Sequence, residues 1–343
     1  MTEIADDTTT ADRALRHLRT GGTLLWTGDF HNARQLLKAL DRRLTKRAGR
    51  RRTGDTDAAT LFLRQRAERA ERADVLGRVL VDLGEDYSLD LRRAPDVREA
   101  CRHAYGQDGP RRVPFTELQG VLGAWQWHLR GVWVEELGDH VHPDYGVFSP
   151  TRSEYVGLVD RLADETSGRD VLEIGTGTGV LAAVLARHGA RVTATDVSAR
   201  AVTCARANLE RLGVSAEVVE ADLWLPGQRA AIVVFNPPWL PGTPTSELEL
   251  GIYDDRSDAL RRYLAGLAEH LTDGGEGWLV LSDLAEHLGL RTREQLEGWI
   301  ADGGLRVVGR EDTAPRHPKV RDADDPLHVA RSREVTSLWR LRA

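Results

Sequence analysis

The stretch VLEIGTGTG, residues 171–179, decides the fold of this chain. Its apolar start is typical of a short buried strand, and an apolar pattern with helical spacing follows its last glycine. Glycines let the backbone turn sharply, and the free N–H groups at the start of a helix face any ligand that lies against the turn. The stretch therefore predicts a strand, a ligand-binding loop and a helix, in that order.

From about residue 168 onward, strand and helix patterns alternate along the chain. Helical patterns separate most of the predicted strands, which lie at residues 171–174, 191–196, 216–220, 230–235, 278–282, 305–308 and 335–341. This alternation is typical of a parallel, doubly wound α/β sheet. Ligands of such sheets bind at the carboxyl ends of the strands, so functional side chains are expected directly after each strand.

Length and composition bound the chain further. At roughly 150 residues per domain, a chain of 343 residues predicts two domains, and 41% hydrophobic residues exclude global disorder. No apolar run approaches the ~20 residues of a membrane helix. The polar N-terminus lacks the apolar region of a signal peptide, and two cysteines exclude a disulfide framework. We therefore expect a cytoplasmic protein without a membrane partner.

The chain is expected to contain three segments. Residues 1–115 show apolar spacings of three and four and are predicted as a mainly helical N-terminal domain for substrate recognition, in which residues 60–83 form one helix. Tryptophans interleaved with glycines predict a strand-rich connector over residues 116–150. Residues 151–343 are predicted as the catalytic domain.

The formal charge of −6 is unevenly distributed. Residues 11–80 sum to +9, and the strip Arg42–Arg52 holds seven bases in eleven residues. Such a strip can bind nucleic-acid phosphates. The alternative is a solvated helix end, which the neighbouring Asp55 and Asp57 favour.

Acidic residues accompany three strand ends of the predicted catalytic domain. Val180 stands where a dinucleotide-binding loop has glycine or alanine, and Glu173 fits a cation, such as the amino group of a methionine moiety, better than a pyrophosphate. Asp196 ends the second strand, where a carboxylate accepts two ribose hydroxyls. Asp222 ends the third strand, where a side chain reaches an adenine amine.

A second motif, Asn236-Pro237-Pro238-Trp239, follows the predicted strand 230–235 directly. The prolines fix the backbone and remove two N–H donors, so carbonyl groups and the Asn236 amide oxygen remain as acceptors. A planar NH2 group can donate to two such acceptors while Trp239 stacks on its plane. These hydrogen bonds localise the nitrogen lone pair for an in-line attack on a methyl group.

The glycine loop with its strand-end acids resembles the class I S-adenosylmethionine-dependent methyltransferases over about residues 145–343. The resemblance implies a Rossmann-like sheet of seven strands with an antiparallel last strand, and S-adenosylmethionine as cofactor. It places the glycines beside the methionine, Glu173 near its amino group, Asp196 at the ribose and Asp222 near adenine. The implied cofactor-binding residues are Glu173, Gly175, Thr176, Gly177, Gly179, Asp196, Val197, Asp222, Leu223 and Asn236.

The second motif resembles the (Asn/Asp)-Pro-Pro-aromatic motif of HemK-like protein-glutamine methyltransferases, adenine-N6 methyltransferases and small-domain rRNA guanine methyltransferases. Residues 147–154, VFSPTRSE, resemble the segment that closes over the cofactor in the HemK-like group, although Thr151-Arg152-Ser153 lacks its second proline. Residues 1–143 do not match the release-factor-binding domain. The resemblance implies the catalytic residues Asn236, Pro237 and Trp239, and the substrate-binding residues Phe148, Pro150, Trp239 and Tyr253.

Histidines are weaker candidates. His140 and His142 share one strand face near His128, but no cysteine or carboxylate spacing completes a site, so no metal is expected. His317 and His328 lie in a polar segment that can overhang the acceptor, where one of them could receive a proton. The alternative for both is a surface loop.

Three functions compete. The favoured one is N-methylation of a planar nitrogen of a small molecule or peptide. The second is methylation of a nucleic-acid base, with the strip Arg42–Arg52 holding phosphates, or of a protein glutamine. The third is a protein that binds S-adenosylmethionine without methylating, or that uses it as an alkyl donor. Fold alone does not decide among them.

Overall fold

The computed structural model describes residues 1–50, 57–315 and 318–343, and only the backbone of residues 47–50, 247, 318 and 319. The chain divides into two compact units, Met1–Gln126 and Trp127–Ala343.

The first unit combines helices with a four-stranded sheet in the order β1–β2–β3–β4. Strands β1, β2 and β3 are parallel, and β4 is antiparallel to β3. The sheet was not predicted. Its elements are β1 Thr2–Ala5, α1 Ala11–Arg19, β2 Thr23–Trp26, α2 Phe30–Arg50, α3 Ala58–Gly77, β3 Val79–Leu83, α4 Arg98–Tyr105, β4 Arg111–Pro114 and α5 Phe115–Arg130, whose last residues belong to the second unit.

The prediction of one helix over residues 60–83 was wrong at its C-terminal end. Helix α3 ends at Gly77, and β3 follows. Val79, Val81 and Leu83 are all buried, which is the alternation of a strand with one covered face. The same residues also fit a helical spacing over a short window, so the β-branched valines were the better indicator.

The prediction of a strand-rich connector over residues 116–150 was wrong for its first half, which forms α5. Phe115, Leu118 and Val121 are buried at helical spacing. Gly120 and Gly123 contributed to that prediction, but a Cβ atom at either position would meet no atom within 4 Å. They therefore lie on an open face of the helix, where glycine weakens a helix by only about 1 kcal/mol relative to alanine.

The second unit contains a seven-stranded sheet in the order β14–β15–β13–β10–β7–β8–β9. Five consecutive strands of this sheet, β13, β10, β7, β8 and β9, are parallel to one another. Strand β15 is antiparallel to both of its neighbours, β13 and β14. The predicted Rossmann-like sheet with an antiparallel last strand is thus confirmed. The elements are β5 Val132–Val134, β6 Asp139–Val141, α6 Glu154–Asp160, β7 Asp170–Ile174, α7 Val180–Arg187, β8 Arg191–Asp196, α8 Ala199–Arg211, β9 Glu217–Glu220, β10 Ala230–Phe235, β11 Leu240–Pro241, α9 Glu247–Leu250, β12 Tyr253–Asp254, α10 Asp258–His270, β13 Leu271–Ser282, α11 Leu284–His287, α12 Arg293–Asp302, β14 Arg306–Thr313, α13 His328–Ser332 and β15 Thr336–Arg342.

Both faces of this sheet are covered because its strands alternate two apolar sets. Val171, Ile232 and Trp278 belong to the core on the face that α6, α7 and α8 cover. Leu172 and Phe235 belong to the core on the opposite face, against α10 and α12. A sheet buried on both sides needs apolar residues at nearly every strand position, and its polar chemistry is therefore confined to the strand ends.

The basic strip Arg42–Arg52 falls partly outside the described residues. Arg43 lies on α2 with Nε 2.8 Å from a carboxylate oxygen of Asp12. Arg42 and Lys46 are exposed on the same helix. Among the helices that the structure describes, none is both long and apolar enough to cross a membrane.

Asn208 of α8 fixes the chain segment that enters the second unit. Its Oδ1 accepts the backbone N–H of His142 at 2.8 Å, and its Nδ2 donates to the carbonyl oxygens of His142 at 3.1 Å and Thr178 at 3.0 Å. Asn208 is buried. If its side chain were removed, the backbone groups of His142 and Thr178 would lose their partner and could not bind water instead.

We expect Asn208→Ala to lower the free energy of unfolding by about 2–3 kcal/mol, because buried polar backbone groups are left unpaired. Thr203→Ala, on an exposed position of the same helix, is the control and should change stability by less than about 0.5 kcal/mol. Thermal or urea denaturation of both variants measures the difference. Equal stabilities of the two variants would contradict this role of Asn208.

Candidate active site at the carboxyl edge of the sheet

The loop after β7 folds back over the end of β8. Gly175, Gly177 and Gly179 have φ angles of 67°, 56° and 79°, a region that other residues rarely adopt. The backbone N–H of Thr176 donates to the carbonyl oxygen of Thr195 at 2.9 Å, which ties the loop to β8. A Cβ atom at Gly177 would meet no atom within 4 Å, so the space beside this glycine is open.

Glu173 lies beneath the loop as a buried carboxyl group, 2% exposed. The hydroxyl of Thr176 donates to its Oε2 at 2.7 Å. Burial raises the pKa of Glu173 to about 8, and the nearby charge of Asp196 raises it further. A cation bound beside this carboxyl group would favour its ionised form.

Asp196 ends β8 and orients the loop from the other side. Its Oδ2 accepts the backbone N–H of Gly177 at 2.9 Å, and its Oδ1 accepts the N–H of Ser198 at 2.9 Å. Burial raises the pKa of Asp196. Each carboxylate oxygen has a further lone pair, so a pair of ribose hydroxyls can still donate to it.

The residues predicted at adenine lie around the next strand ends. Val197 directly follows β8, and its side chain is 62% exposed. Strand β9 ends at Glu220, so Asp222 lies two residues beyond the strand and not at its end as predicted. Its exposed carboxylate forms an ion pair of 2.8 Å with Arg262. Leu223 is buried at a φ of 63°, and its carbonyl oxygen accepts the hydroxyl of Thr195, which holds this unusual conformation.

The Asn-Pro-Pro-Trp motif follows β10 directly. The indole N–H of Trp239 donates to Oδ1 of Asn236 at 2.8 Å. This bond fixes the orientation of the Asn236 amide, and it uses one of the two lone pairs of that oxygen. Pro237 is buried, whereas Asn236 and Trp239 are partly exposed. The corner therefore presents an oriented amide oxygen and an aromatic ring next to each other.

Arg152 covers one face of Trp239, which the sequence did not predict. Its guanidinium carbon lies 4.8 Å from the ring centroid, a cation–π contact. Two buried carboxylates hold the guanidinium: Glu154 accepts from Nε and Glu334 from Nη2, both at 2.9 Å. Ser282 donates to the same Glu334 oxygen at 2.7 Å. Apart from the predicted Trp239, these residues come from three distant segments, and the sequence singled out only the segment 147–154.

The structure also brings the predicted substrate-binding residues close to the motif. Tyr253 pairs with Leu240, the residue after Trp239, in the short parallel pair β11–β12. Phe148 packs against Gly251, two residues before Tyr253. Pro150 and Tyr253 are both buried, whereas Phe148 and Trp239 are partly exposed and more available to a ligand.

The predicted histidines have separate environments. His142 uses its backbone to bind Asn208, and its Nδ1 lies 2.5 Å from the carbonyl oxygen of His128. His140 packs edge-on against Trp133. His328 begins α13, and its Nδ1 is buried without a hydrogen-bond partner in the described part of the chain. His317 lies outside the described residues.

Comparison with known proteins identifies the family to which this chain is similar. The model of the methyltransferase small domain matches residues 140–297. The chain is 34% identical over 204 residues to the release factor glutamine methyltransferase of Gloeobacter violaceus, a match that covers 53% of this chain and 67% of that protein.

Two further matches concern enzymes named for ribosomal RNA. The ribosomal RNA small subunit methyltransferase C of Alcanivorax borkumensis is 35% identical over 156 residues, covering 43% of this chain and 44% of that protein. The chain thus spans less than half of this relative. Among solved structures, the 16S rRNA N2 G1207 methyltransferase of T. Thermophilus, in complex with AdoMet and guanosine, matches at 20% identity with a TM-score of 0.42, covering 62% of this chain and 50% of that chain.

The raised pKa of Glu173 predicts a pH-dependent stability. Because the folded pKa of about 8 exceeds the ordinary value of 4.5, the unfolded chain loses its proton first, and stability falls as pH rises between these two values. Glu173→Gln removes this effect. We therefore expect the melting temperature of the variant to rise relative to that of the unaltered chain across this pH window.

Thermal denaturation of both proteins at several pH values from about 5 to about 9 measures the difference. Glu217→Gln, an exposed glutamate at the start of β9, is the control and should follow the unaltered chain at each pH. A difference between Glu173→Gln and the unaltered chain that does not vary with pH would be inconsistent with a buried carboxyl group of raised pKa.

Proposed function

Because this chain belongs to the methyltransferase small-domain family of S-adenosylmethionine-dependent methyltransferases, we propose that it methylates a planar nitrogen of its acceptor. The observation that carries the proposal is the corner of Asn236 and Trp239. An amide oxygen held by the neighbouring indole N–H at 2.8 Å is an oriented acceptor for the N–H of an amide or amino group.

The residues at the carboxyl edge fit S-adenosylmethionine. Glu173 offers a buried carboxylate to the amino group of the methionine part, and ionisation of Glu173 is favoured by that cation. The open space beside Gly177 lets the cofactor lie against the loop. Asp196 retains lone pairs for the ribose hydroxyls, and Val197 offers an exposed apolar side chain to the adenine.

The residues around Asn236 orient the acceptor. S-adenosylmethionine supplies a methyl group on a sulfonium, which is already an activated leaving group. The chain therefore contributes mainly position: the second lone pair of Asn236 Oδ1 accepts an N–H of the acceptor, and the partly exposed indole of Trp239 packs on its plane. Pro237 adds no N–H donor that would compete for the acceptor nitrogen.

The favoured acceptor is the planar nitrogen of a peptide side-chain amide or of a small molecule. The match to a protein-glutamine methyltransferase supports an amide, since it spans two thirds of that enzyme. A nucleic-acid base is the second candidate, and the match to a ribosomal RNA methyltransferase supports it. Both candidate acceptors carry a planar nitrogen whose N–H can donate to Asn236 Oδ1. They differ in the chemical groups around that nitrogen.

Asn236→Ala is expected to lower kcat by about 100-fold, because the acceptor nitrogen loses its hydrogen-bond acceptor in the transition state. Affinity for S-adenosylmethionine, measured by calorimetry, should change far less. Asn236→Asp keeps an acceptor oxygen and should retain more activity than Asn236→Ala. If affinity for the cofactor fell as much as turnover, the assignment of Asn236 to the acceptor would be wrong.

Trp239→Phe is the matched variant for the orientation of Asn236. It keeps an aromatic face but removes the indole N–H, so kcat should fall by about tenfold while the KM of the acceptor changes little. Trp239→Leu removes the face as well and should raise that KM. A Trp239→Phe variant with unaltered kcat would show that the hydrogen bond to Asn236 has no part in turnover.

The acceptor class is tested by incubating a fractionated cell extract with the enzyme and methyl-labelled S-adenosylmethionine. We expect label in the polypeptide or small-molecule fraction and none with Asn236→Ala. Label confined to RNA or DNA supports the second candidate, and its binding should then weaken steeply with salt. Bound cofactor with no labelled product in any fraction would overturn the proposed methyl transfer.

A further inference from the structure

Arg291 lies close to the segment that follows Trp239. It occupies the turn between α11 and α12, where its backbone N–H points to the carbonyl oxygen of Ala285 at 3.4 Å. Helix α11 follows the carboxyl end of β13 and packs against β11. The charge of Asp254 on the neighbouring strand β12 acts on Arg291. Arg291 thus follows a helix that packs on Leu240–Pro241, the segment directly after Trp239.

The side chain of Arg291 is buried without a partner. The residue is 2% exposed, and its Nε and Nη2 have no hydrogen-bond partner. Within the part of the chain that the structure describes, no carboxylate lies within 4.0 Å of its nitrogen atoms. Burial lowers the pKa of Arg291. A buried guanidinium without a partner destabilises the folded chain, so its retention needs a reason.

The two nearest acids are already engaged by other donors. Asp254 accepts the backbone N–H groups of Ala259 and Leu260 at 3.0 and 3.1 Å, one on each carboxylate oxygen. Glu286 accepts both its bonds from Nε of Arg293, at 3.0 and 3.1 Å. Neither acid forms an ion pair with Arg291 in the described part of the chain, although their charges favour its cationic form.

We propose that Arg291 binds an oxyanion group, a carboxylate or a phosphate, that the methyl acceptor carries beside its planar nitrogen. A guanidinium presents two parallel N–H donors that match such a group in geometry and charge. The proposal rests on the proposed function, because it assigns the anion to the acceptor of that reaction. It narrows the acceptors to molecules in which an acidic group lies near the methylated nitrogen.

The experiment titrates sodium phosphate and sodium acetate separately into the whole chain, at constant ionic strength set with sodium chloride, and records the melting temperature. Binding to the folded state should raise it by a few degrees at saturation. In Arg291→Met, which keeps the volume and removes the charge, the midpoint concentration should rise by at least about tenfold. Without added anion this variant should melt higher than the unaltered chain, because the unpaired buried charge is gone.

Arg340→Met is the matched control. Arg340 pairs with Glu276 and Glu165, so this variant should lose stability but keep the response to the anion. Arg291→Lys keeps a charge without the two parallel donors and should respond more weakly than the unaltered chain. In the methyl-transfer assay, Arg291→Met should raise the KM of the acceptor and leave affinity for S-adenosylmethionine unchanged.

The outcomes separate the sources of the anion. A response to phosphate alone indicates a phosphorylated acceptor, and a response to acetate alone a carboxylic acid; either one supports the proposal. No response of the unaltered chain to either salt, or equal responses of the unaltered chain and Arg291→Met, overturns it. Because the titration requires no turnover, it stands or fails separately from the methyl-transfer assay that tests the proposed function.

Discussion

The carboxylate of Asp196 is the contact on which the geometry of the site depends. It accepts the N–H of Gly177 from the loop after β7 and the N–H of Ser198 at the start of α8. One side chain thereby joins two neighbouring strand ends. The loop could not follow this path with larger residues, since its three glycines all have positive φ angles. The open space beside Gly177 is a consequence of the same path.

The burial of Glu173 under that loop sets the electrostatics of the site. A carboxyl group with a pKa of about 8 is mostly neutral at neutral pH, and a cation that binds beside it favours the loss of its proton. The hydroxyl of Thr176 already satisfies one of its oxygens. The chain thus tolerates the buried acid without a cation and gains a strong attraction when a cation arrives. This behaviour suits a cofactor that must bind and leave in each turnover.

The sequence predicted the parts of the molecule in which local pattern and burial agree. The strands of the second sheet and the loop at Gly175 follow from apolar runs that alternate with helical patterns, and the antiparallel last strand was implied by the resemblance to class I methyltransferases. Strand β3, Val79–Leu83, was missed because a single residue, Arg78, separates it from helix α3 and its apolar residues were included in that helix. Helix α5 was missed because tryptophans interleaved with glycines were interpreted as a connector, and only packing shows that Gly120 and Gly123 lie on an open face of a helix.

The same limit applies to the site. Its loop residues are contiguous in sequence and were predicted from spacing. Arg152, Ser282 and Glu334 are far apart in sequence, and each is an ordinary residue in its own segment. Arg291 carries no motif at all, and only its burial without a partner distinguishes it from the many other arginines of the chain. Long-range contacts of this kind depend on the tertiary fold, which local patterns do not encode.

The tryptophan at position 239 restricts the acceptor more than a phenylalanine would. Phenylalanine has no polar group, whereas the indole N–H of Trp239 occupies one lone pair of Asn236 Oδ1. The guanidinium of Arg152 covers one face of the indole. Under the proposed function, the acceptor then has one lone pair to donate to and one aromatic face to lie on. Two such constraints fix both the direction of the N–H and the plane of the acceptor, so an in-line approach to the methyl group needs no further contact near the nitrogen. Discrimination among planar nitrogens must therefore come from groups farther away, and Arg291 is in a position to provide it.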